Sequence, residues 1–323
     1  MALPAEEGLL SPTPDPAVAR RILIVTAVAA EADSVAAGLP AGAPRAVALP
    51  GGLTLRRHTF LPAGASGAVR VDVLVGGVGP AAAAAATGTA LTTAALRETA
   101  PADAMAGASA PYDLVVSAGI GGGFAPGAPL GSLVVSAAIV AADLGAQTPD
   151  GYLAVEDLGF GRSVHRVPEA LTRPLADALA GAGLPCTVAP VLTVSTVTGT
   201  ARRAAELAER HPGAAAEAME GFGVAEAAAS YGVPVVEVRA VSNAVGPRDR
   251  AAWRIGEALA ALREAFGRLA GTGFAAVPDA RAATGSVPDT HAVPGTGSVP
   301  DTPPGPAPAS GSGSRPGSVE APA

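Results

Sequence analysis

The feature that most constrains this chain is the alternation of short β-branched runs with longer alanine-rich stretches between residues 20 and 272. Short apolar runs bounded by glycine or proline are typical of buried strands, whereas the longer stretches are typical of helices. The runs predict strands at 21–28, 53–60, 69–75, 114–118, 132–138, 190–196 and 233–241. The stretches between them predict helices at 30–38, 80–97, 168–181, 201–210, 219–231 and 253–269. This order indicates one α/β domain, a three-layer sandwich around a central mixed β-sheet.

Both ends of the chain differ in composition from this region. Residues 1–19 hold several prolines and acidic residues and predict a loose leader. Residues 273–323 are rich in Gly, Pro, Ser, Thr and Ala, and Gly-Ser-Val-Pro-Asp-Thr occurs at 285–290 and again at 297–302. Such a segment buries too little apolar surface to offset its ordering entropy, so we expect a disordered tail, either an interaction linker or a tolerated low-complexity extension. The folded domain is expected at 20–272.

The residue types present exclude several kinds of site. The 323 residues include one cysteine, Cys186, four scattered histidines and no lysine. A single cysteine forms no intrachain disulfide and no cysteine metal cluster, so we expect no metal. The absence of lysine excludes a Schiff-base lysine and a Walker phosphate loop.

Charge and hydropathy argue against nucleic-acid and membrane partners. The net charge is −7 at pH 7, aromatic residues are few, and no basic stripe is present. The chain is 49% apolar, but much of that share is alanine. Glycines and prolines interrupt the long apolar stretches, and a spanning helix needs about 20 uninterrupted residues. Acidic residues stand where a secretory signal has basic ones, so we expect a cytoplasmic protein.

Polar residues follow several predicted strands, at the sheet edge where α/β proteins bind ligands. Glu31 comes just after the first strand, where a carboxylate can activate water or can merely complement the helix dipole. The glycine-rich segments 76–79 and 119–123 predict turns that let backbone N–H groups approach a ligand. The second is similar to a dinucleotide fingerprint, but Pro126 and Pro129 follow where a helix should begin, so an NAD site is excluded.

A second group of candidate residues lies toward the end of the alternating region. Glu220 can accept hydrogen bonds from sugar hydroxyls or can complement a helix dipole. Met219 can pack against a ligand or can fill the core. Asn243 can donate to and accept from a purine edge, or can belong to a turn. Arg239, inside a predicted strand, needs a carboxylate partner if it is buried. A carboxylate and an amide at one sheet edge point to a nucleoside.

Together these segments resemble the nucleoside phosphorylase and nucleosidase superfamily, across about 21–269. The markers are 26–31 (Thr-Ala-Val-Ala-Ala-Glu), 76–79 (Gly-Gly-Val-Gly), 117–122 (Ser-Ala-Gly-Ile-Gly-Gly), 218–221 (Ala-Met-Glu-Gly) and 241–243 (Val-Ser-Asn). Two longer passages are similar to the futalosine hydrolase family in particular, namely 142–146 with 156–161, and 242–250 with Trp253.

The resemblance implies a role for each matching residue. Glu31 would activate the attacking water, and Asn243 would hydrogen-bond the leaving base. Glu220 would hold the ribose hydroxyls, with Met219 beneath the sugar and Ser242 fixing Asn243. The other substrate-binding positions that the resemblance implies are Gly77, Gly119, Ile120, Thr196, Val197 and Ala218. Such a reaction requires no metal and no organic cofactor.

Asn243 stands where the adenine-cleaving nucleosidases carry an aspartate that protonates the base. An amide suits a 6-oxopurine such as hypoxanthine instead. The resemblance therefore implies hydrolysis of futalosine to hypoxanthine and dehypoxanthine futalosine, in the futalosine route of menaquinone biosynthesis. The alternatives are a nucleosidase for methylthioadenosine, adenosylhomocysteine or another purine nucleoside, and a non-catalytic nucleoside-binding domain.

Hydrolysis is favoured over phosphorolysis by the loop after the first strand. A phosphorylase holds a phosphate dianion, normally with arginines and a glycine loop at that place. Residues 26–30 contain no arginine, and they lead into Glu31, whose carboxylate repels phosphate and can orient water.

Two further expectations follow from the resemblance. The aromatic residue that stacks on adenine near Thr196 in the adenine-specific relatives is missing, and Phe160, Phe222 and Trp253 are candidate substitutes. Relatives complete the pocket with a loop from a neighbouring subunit, which implies at least a homodimer, with 142–160 as the candidate loop. On charge alone, the candidate partners for the benzoate carboxylate of futalosine are Arg162, Arg248 and Arg250.

Overall fold

A computed structural model describes residues 18–98 and 111–274 of the chain. The strands are β1 (Val18–Thr26), β2 (Arg45–Ala48), β3 (Thr54–Phe60), β4 (Ala68–Val75), β5 (Leu114–Gly123), β6 (Leu133–Ala141), β7 (Gly145–Thr148), β8 (Gly151–Ala154), β9 (Val164–Arg166), β10 (Cys186–Thr193), β11 (Ala216–Ala218) and β12 (Val235–Ala244). The helices are α1 (Ala29–Gly38), α2 (Pro80–Glu98), α3 (Glu169–Ala180), α4 (Ala201–Arg210), α5 (Gly221–Ser230) and α6 (Ile255–Arg268). The alternation of strand and helix that the sequence predicts is confirmed.

The strands form one mixed sheet of ten strands and a separate hairpin. The order in the sheet is β11-β10-β6-β12-β5-β1-β4-β3-β2, and β9 pairs with β6. The central pairs β4–β1, β1–β5 and β5–β12 are parallel, whereas β12–β6 and β3–β4 are antiparallel. The hairpin consists of β7 and β8. The predicted central mixed sheet is thus confirmed.

One half of the sheet closes on itself through the glycine-rich end of β5. Strand β11 pairs with β10 on one side and, antiparallel, with Gly122 and Gly123 of β5 on the other, so β5, β12, β6, β10 and β11 form a closed ring. A Cβ on Gly121 would lie 2.8 Å from the carbonyl oxygen of Glu217. The prediction of a turn at 119–123 is therefore wrong. The glycines are there because the strand must pass close to its neighbours, not because the strand ends.

Helices cover both faces of the sheet. On one face, α1 and α6 bury residues such as Val35 and Phe266 against β1, β5 and β12, and α3 buries residues such as Leu175 against β6 and β10. On the other face, α2 and α5 bury residues such as Leu91 and Val224 against the opposite side of the same central strands. Since successive strand residues alternate between faces, the unbroken valine and isoleucine runs serve both layers at once.

The limits of the folded region in the structure differ from the predicted ones at both ends. Strand β1 begins at Val18, so the last two residues of the predicted leader belong to the sheet, and residues 1–17 lie outside the described part. At the other end, Phe274 is 1% exposed, and its ring centroid lies 6.2 Å from that of Phe266. The core thus continues to residue 274 and not to 272, and the rest of the predicted tail is outside the described part.

The short strands β2, β7, β8, β9 and β11 have no counterpart in the prediction. Each has three or four residues, which is too few for a recognisable alternation. Helix α5 begins at Gly221 and not at Met219, because β11 occupies the preceding residues. In the described part of the chain, no helix has the length and hydropathy needed to cross a bilayer.

The contact between α2 and α5 depends on Gly223. A Cβ on this residue would lie 1.9 Å from the carbonyl oxygen of Pro80, a backbone atom at the start of α2. We predict that Gly223→Ala lowers the free energy of unfolding by about 1–3 kcal/mol, because two backbones must separate. Urea unfolding followed by circular dichroism measures the change.

The matched control is Gly88→Ala, in the middle of α2, where an added Cβ has nothing within 4 Å. Alanine should stabilise that position by about 0.5–1 kcal/mol, because it has the better helix propensity. Equal effects of the two substitutions would show that the backbone contact is not what Gly223 provides.

Candidate active site

The candidate residues lie at or near the carboxyl ends of strands in two groups of opposite direction, β1, β4, β5 and β12 in one and β10 and β11 in the other. Glu31 follows β1, Gly77 follows β4, and Thr196 and Val197 follow β10. Met219 and Glu220 follow β11. Contrary to the prediction that they come after a strand, Gly119 and Ile120 lie inside β5, and Ser242 and Asn243 lie inside β12.

Glu31 is held in place by three backbone N–H groups. Its Oε2 accepts hydrogen bonds from Ala27 N at 2.9 Å and Val28 N at 3.2 Å, and its Oε1 accepts one from Ile120 N at 2.9 Å. The carboxylate is 3% exposed. Because an ionised carboxylate has about four lone-pair sites, one remains for a further donor such as water. Glu31 therefore does more than complement the dipole of α1, and it ties the loop after β1 to β5.

Arg239 lies at the centre of the acidic residues and is 1% exposed. Its Nε donates to Glu237 Oε1 at 2.7 Å, and its Nη2 lies 3.1 Å from Glu220 Oε2 and 3.1 Å from Ser117 Oγ. Burial opposes the charged form, but the carboxylates of Glu237, Glu220 and Glu31 outweigh it and raise the pKa of Arg239. The expectation that a buried Arg239 finds carboxylate partners is confirmed.

Gly119 lies where Glu31 and Arg239 approach each other. A Cβ on this glycine would lie 2.5 Å from Glu31 Oε1 and 2.6 Å from Arg239 Nη1. Arg239 Nη1 also donates to the carbonyl oxygen of Ile120 at 3.3 Å. The absence of a side chain at Gly119 thus leaves room for the carboxylate and the guanidinium to meet beside β5.

Glu220 connects Arg239 to the glycine loop after β4. Its Oε1 accepts a hydrogen bond from Gly79 N at 3.2 Å, and its Oε2 accepts one from Met219 N at 3.3 Å. Gly77 and Gly79 have φ of 90° and 91°, a region that favours glycine. Met219 is half-buried and packs against the apolar cluster that includes Phe124 and Val194. Glu220 is itself 5% exposed, so it faces the interior and not bulk water.

Glu237 is a buried carboxyl that the sequence interpretation did not assign to the site. It is completely buried, and its Oε2 makes no hydrogen bond with any described residue. Burial raises its pKa, Arg239 opposes that shift, and Glu220 adds to it. Its spacing of two from Arg239 on a strand places both residues on one face, which is the signal that could have identified it.

Ser242 and Asn243 lie at an irregularity in the pairing of β12 with β5. The register passes from Val241 opposite Gly121 to Asn243 opposite Gly122, so Ser242 is the extra residue of a bulge. Asn243 Nδ2 donates to the carbonyl oxygen of Ala244 at 3.0 Å, and Ser242 Oγ donates to Asn243 Oδ1 at 2.9 Å. These two bonds fix the amide orientation and leave one N–H of Asn243 available.

Thr196 and Val197 belong to an exposed loop after β10 that a buried residue anchors. Thr198 is 7% exposed, and both its N–H, at 2.9 Å, and its hydroxyl donate to the carboxylate of Glu217 in β11. Burial raises the pKa of Glu217, although the Thr198 bonds and Arg203 oppose the shift. Among the described residues, none accepts a hydrogen bond from the N–H of Thr196 or of Val197. Glu217 therefore ties this loop to β11.

The three aromatic candidates for stacking have different surroundings. Phe222 is 8% exposed and packs at a tilt on His165, with ring centroids 5.2 Å apart. Phe160 is 80% exposed. The guanidinium groups of Arg248 and Arg250 lie 5.2 Å and 5.7 Å from the centre of the Trp253 ring.

Arg162, a candidate partner for a substrate carboxylate, is already paired in the structure. Its Nε donates to Glu226 Oε1 at 2.8 Å, and His165 Nε2 lies 2.7 Å from the same oxygen. Arg248, by contrast, reaches the loop after β10, because its N donates to the carbonyl oxygen of Gly199 at 3.3 Å. Arg248 is thus tied through its backbone to the loop that contains Thr196 and Val197.

Comparison with known proteins identifies the class to which this fold and site belong. The sequence model of the phosphorylase superfamily matches residues 21–277, which is most of the chain. The carboxylate, the glycine loops and the Met-Glu pair described above all lie within the matched region. The chain belongs to the phosphorylase superfamily.

Proteins with similar sequences identify the family within this superfamily to which the chain belongs. The chain is 60% identical over 249 residues to a futalosine hydrolase of Streptomyces coelicolor, covering 77% of this chain and 94% of that one. It is 43% identical over 247 residues to a futalosine hydrolase of Acidothermus cellulolyticus, covering 76% and 89%. The solved futalosine hydrolase of Helicobacter pylori has the same fold, with a TM-score of 0.62, 14% identity, and coverage of 77% of this chain and 98% of that one. The chain belongs to the futalosine hydrolase family.

The ion pair at Glu226 predicts a pH dependence of stability. The hydrogen bond from His165, opposed by burial and assisted by Arg162, lowers the pKa of Glu226 from 4.5 to about 2. A depressed carboxylate pKa stabilises the folded state above the ordinary pKa, and this contribution disappears as the pH falls from 4.5 toward 2. Glu226→Gln should therefore cost on the order of 1 kcal/mol near neutral pH, a value reduced because the side chain is 39% exposed.

Urea unfolding at a series of pH values checks this expectation, because the gap between wild type and Glu226→Gln should narrow as the pH falls. Glu257→Gln on α6 is the control, since its ion pair with Arg254 is exposed and such pairs contribute little. A gap at Glu226 that stays constant with pH would contradict the prediction.

Proposed function

We propose that this protein hydrolyses the N-glycosidic bond of futalosine and releases hypoxanthine and dehypoxanthine futalosine, in the futalosine route of menaquinone biosynthesis. The observation that carries the choice of water over phosphate is the position of Glu31. Its carboxylate already accepts the N–H groups of Ala27, Val28 and Ile120, the donors that would otherwise hold an anion at this edge. A phosphate dianion beside it would meet like charge, whereas water can donate to its remaining lone pair.

The sugar is the second element of the mechanism. Cleavage of an N-glycosidic bond passes through a ribose with oxocarbenium character, which nearby negative charge stabilises. Glu220 would accept the ribose hydroxyls, with Met219 packed beneath the ring. Arg239 forms an ion pair with Glu220 at 3.1 Å and thereby fixes the orientation of this carboxylate. One guanidinium does not cancel the negative charge of all the carboxylates around it. Glu31 would remove a proton from the water that attacks the anomeric carbon.

The base is the third element. As the bond breaks, electron density arrives on the purine, and a hydrogen bond to the ring can stabilise it. One N–H of the Asn243 amide donates to the carbonyl oxygen of Ala244, which leaves the other N–H for O6 or N7 of hypoxanthine. The exposed N–H groups of Thr196 and Val197 would read another edge of the base. This set of donors suits an oxygen at C6 better than an amino group.

The proposal includes a cytoplasmic homodimer. The hairpin of β7 and β8 stands apart from the main sheet. It lies within 142–160, where Leu144 and Leu153 are each 41% exposed and Phe160 is 80% exposed. Such exposed apolar side chains fit a contact with a second subunit, where this segment would complete the neighbouring pocket.

The direct test measures hypoxanthine released from futalosine in phosphate-free buffer and in added phosphate. We expect equal release in both, and dehypoxanthine futalosine as the second product. Glu31→Gln should lose at least about 100-fold in kcat, because glutamine retains one acceptor oxygen and no basic group. Glu206→Gln, on the surface of α4, is the control that should retain activity. Release that requires phosphate would instead make the protein a phosphorylase.

Asn243 is the residue to change for base selection. Asn243→Asp should shift kcat/KM toward the analogue of futalosine that carries adenine, by about 10-fold or more, because a protonated aspartate can donate to the adenine ring nitrogen. The aspartate would also lie beside the carbonyl oxygen of Ala244, which favours its protonated form. Competition between the two substrates, with both bases quantified, measures the shift. An unchanged ratio would remove Asn243 from base selection.

A further inference from the structure

A buried carboxylate lies behind the loop that is expected to read the base. Glu217 is 4% exposed and sits in β11, opposite Leu192 of β10 and opposite Gly122 of β5. Both of its oxygens bond one residue, Thr198, through the N–H at 2.9 Å and through the hydroxyl. Two bonds to one residue fix both the position and the rotation of that part of the loop.

The rest of the loop has few such restraints. Ser195 N donates to Asp143 Oδ2 at 3.2 Å, and the carbonyl oxygen of Gly199 accepts from Arg248 N at 3.3 Å. Between these points Thr196 and Val197 are exposed, while Thr198 is buried. The orientation of the exposed peptides is therefore set largely by the Thr198 anchor.

Burying a carboxylate is costly, and the surroundings of Glu217 offset only part of the cost. Burial raises its pKa, while the Thr198 bonds and Arg203 oppose the shift and Asp143 adds to it. A loop of fixed shape could be anchored by an apolar side chain without this cost. The bidentate geometry indicates that orientation, and not packing alone, is what the carboxylate provides.

We propose that Glu217 is a positioning residue for base recognition: it fixes Thr198 and thereby the N–H groups of Thr196 and Val197 against the purine. The proposal rests on the proposed function, because it assumes that the loop reads the base. Glu217 lies in β11, and Glu220 follows that strand three residues later, so the base-reading loop and the ribose-holding carboxylate are attached to the same short stretch of chain. A distortion at Glu217 would then change base affinity more than it changes the chemical step.

Three variants test this role in the full-length protein. Glu217→Ala removes both acceptors, Glu217→Gln keeps the shape and one acceptor oxygen, and Thr198→Val removes the hydroxyl alone. For Glu217→Ala we expect KM for futalosine to rise at least about 10-fold with kcat within about 3-fold, and the preference for the 6-oxo over the 6-amino substrate to fall about 10-fold. Glu217→Gln should recover most of both changes. The melting temperature of every variant is measured as well, and the exposed Glu257→Gln on α6 is the surface control.

A double-mutant cycle shows whether the effect runs through Thr198. If it does, adding Thr198→Val to Glu217→Ala should cause no further change in KM, because the two residues share one contact. Additive effects, an unchanged base preference, or a lower melting temperature without any change in KM would overturn the positioning role and leave a structural one.

Binding of free hypoxanthine and free adenine, measured by calorimetry on wild type and on Glu217→Ala, separates this proposal from the function itself. Wild type that binds hypoxanthine but does not cleave futalosine would overturn the function, and a base preference altered in the variant would still support the role of Glu217. Wild type that binds neither base would overturn both.

Discussion

The buried guanidinium of Arg239 is the interaction on which the ligand edge of the sheet depends. It bonds Glu237 and Glu220 directly, lies near Glu31, and donates to the carbonyl oxygen of Ile120. Buried ion pairs rarely stabilise a fold more than apolar packing would, because desolvation offsets their attraction. The role of this cluster is therefore to hold several carboxylates close together and in fixed orientations in the buried interior, from which water is largely excluded.

The same cluster explains the choice between nucleophiles. Several carboxylates surround one guanidinium, so the site has an excess of negative charge, and such a site favours a sugar that becomes positive and disfavours a phosphate. The N–H groups at the end of β1 do not restore an anion site, because Glu31 already accepts from them. Under the proposed function, the preference for water would thus follow from the position of the Glu31 carboxylate.

Much of this arrangement could be predicted from the sequence, and the failures have physical causes. Glu31 lies just after β1, as the sequence predicts, because helices in an α/β sheet begin beyond the carboxyl ends of its parallel strands. Glu220 reaches the same region by a different route, because it follows β11, which is antiparallel to β5, and lies 3.1 Å from Arg239 of β12. The segment 119–123 was predicted to be a turn, because glycine usually weakens a strand, and here it permits close approach of β5 to β11. Glu217 was missed, because its bond to Thr198 spans 19 residues and depends on a three-residue strand without a recognisable pattern.

The closed ring of β5, β12, β6, β10 and β11 brings the residues proposed to recognise the base close to those proposed to hold the sugar. Asn243 lies on β12 opposite Gly122, and Glu217 lies on β11 opposite the same glycine, so one residue of β5 separates the two groups proposed to recognise the purine. A Cβ on Gly122 would lie 3.1 Å from Asn243 Nδ2 and 2.8 Å from Val245 Cγ2. Under the proposed function, base selection would therefore depend on more than Asn243. A side chain at Gly122 would displace the amide of Asn243, and a change at Glu217 would act on the strand that pairs with the same glycine.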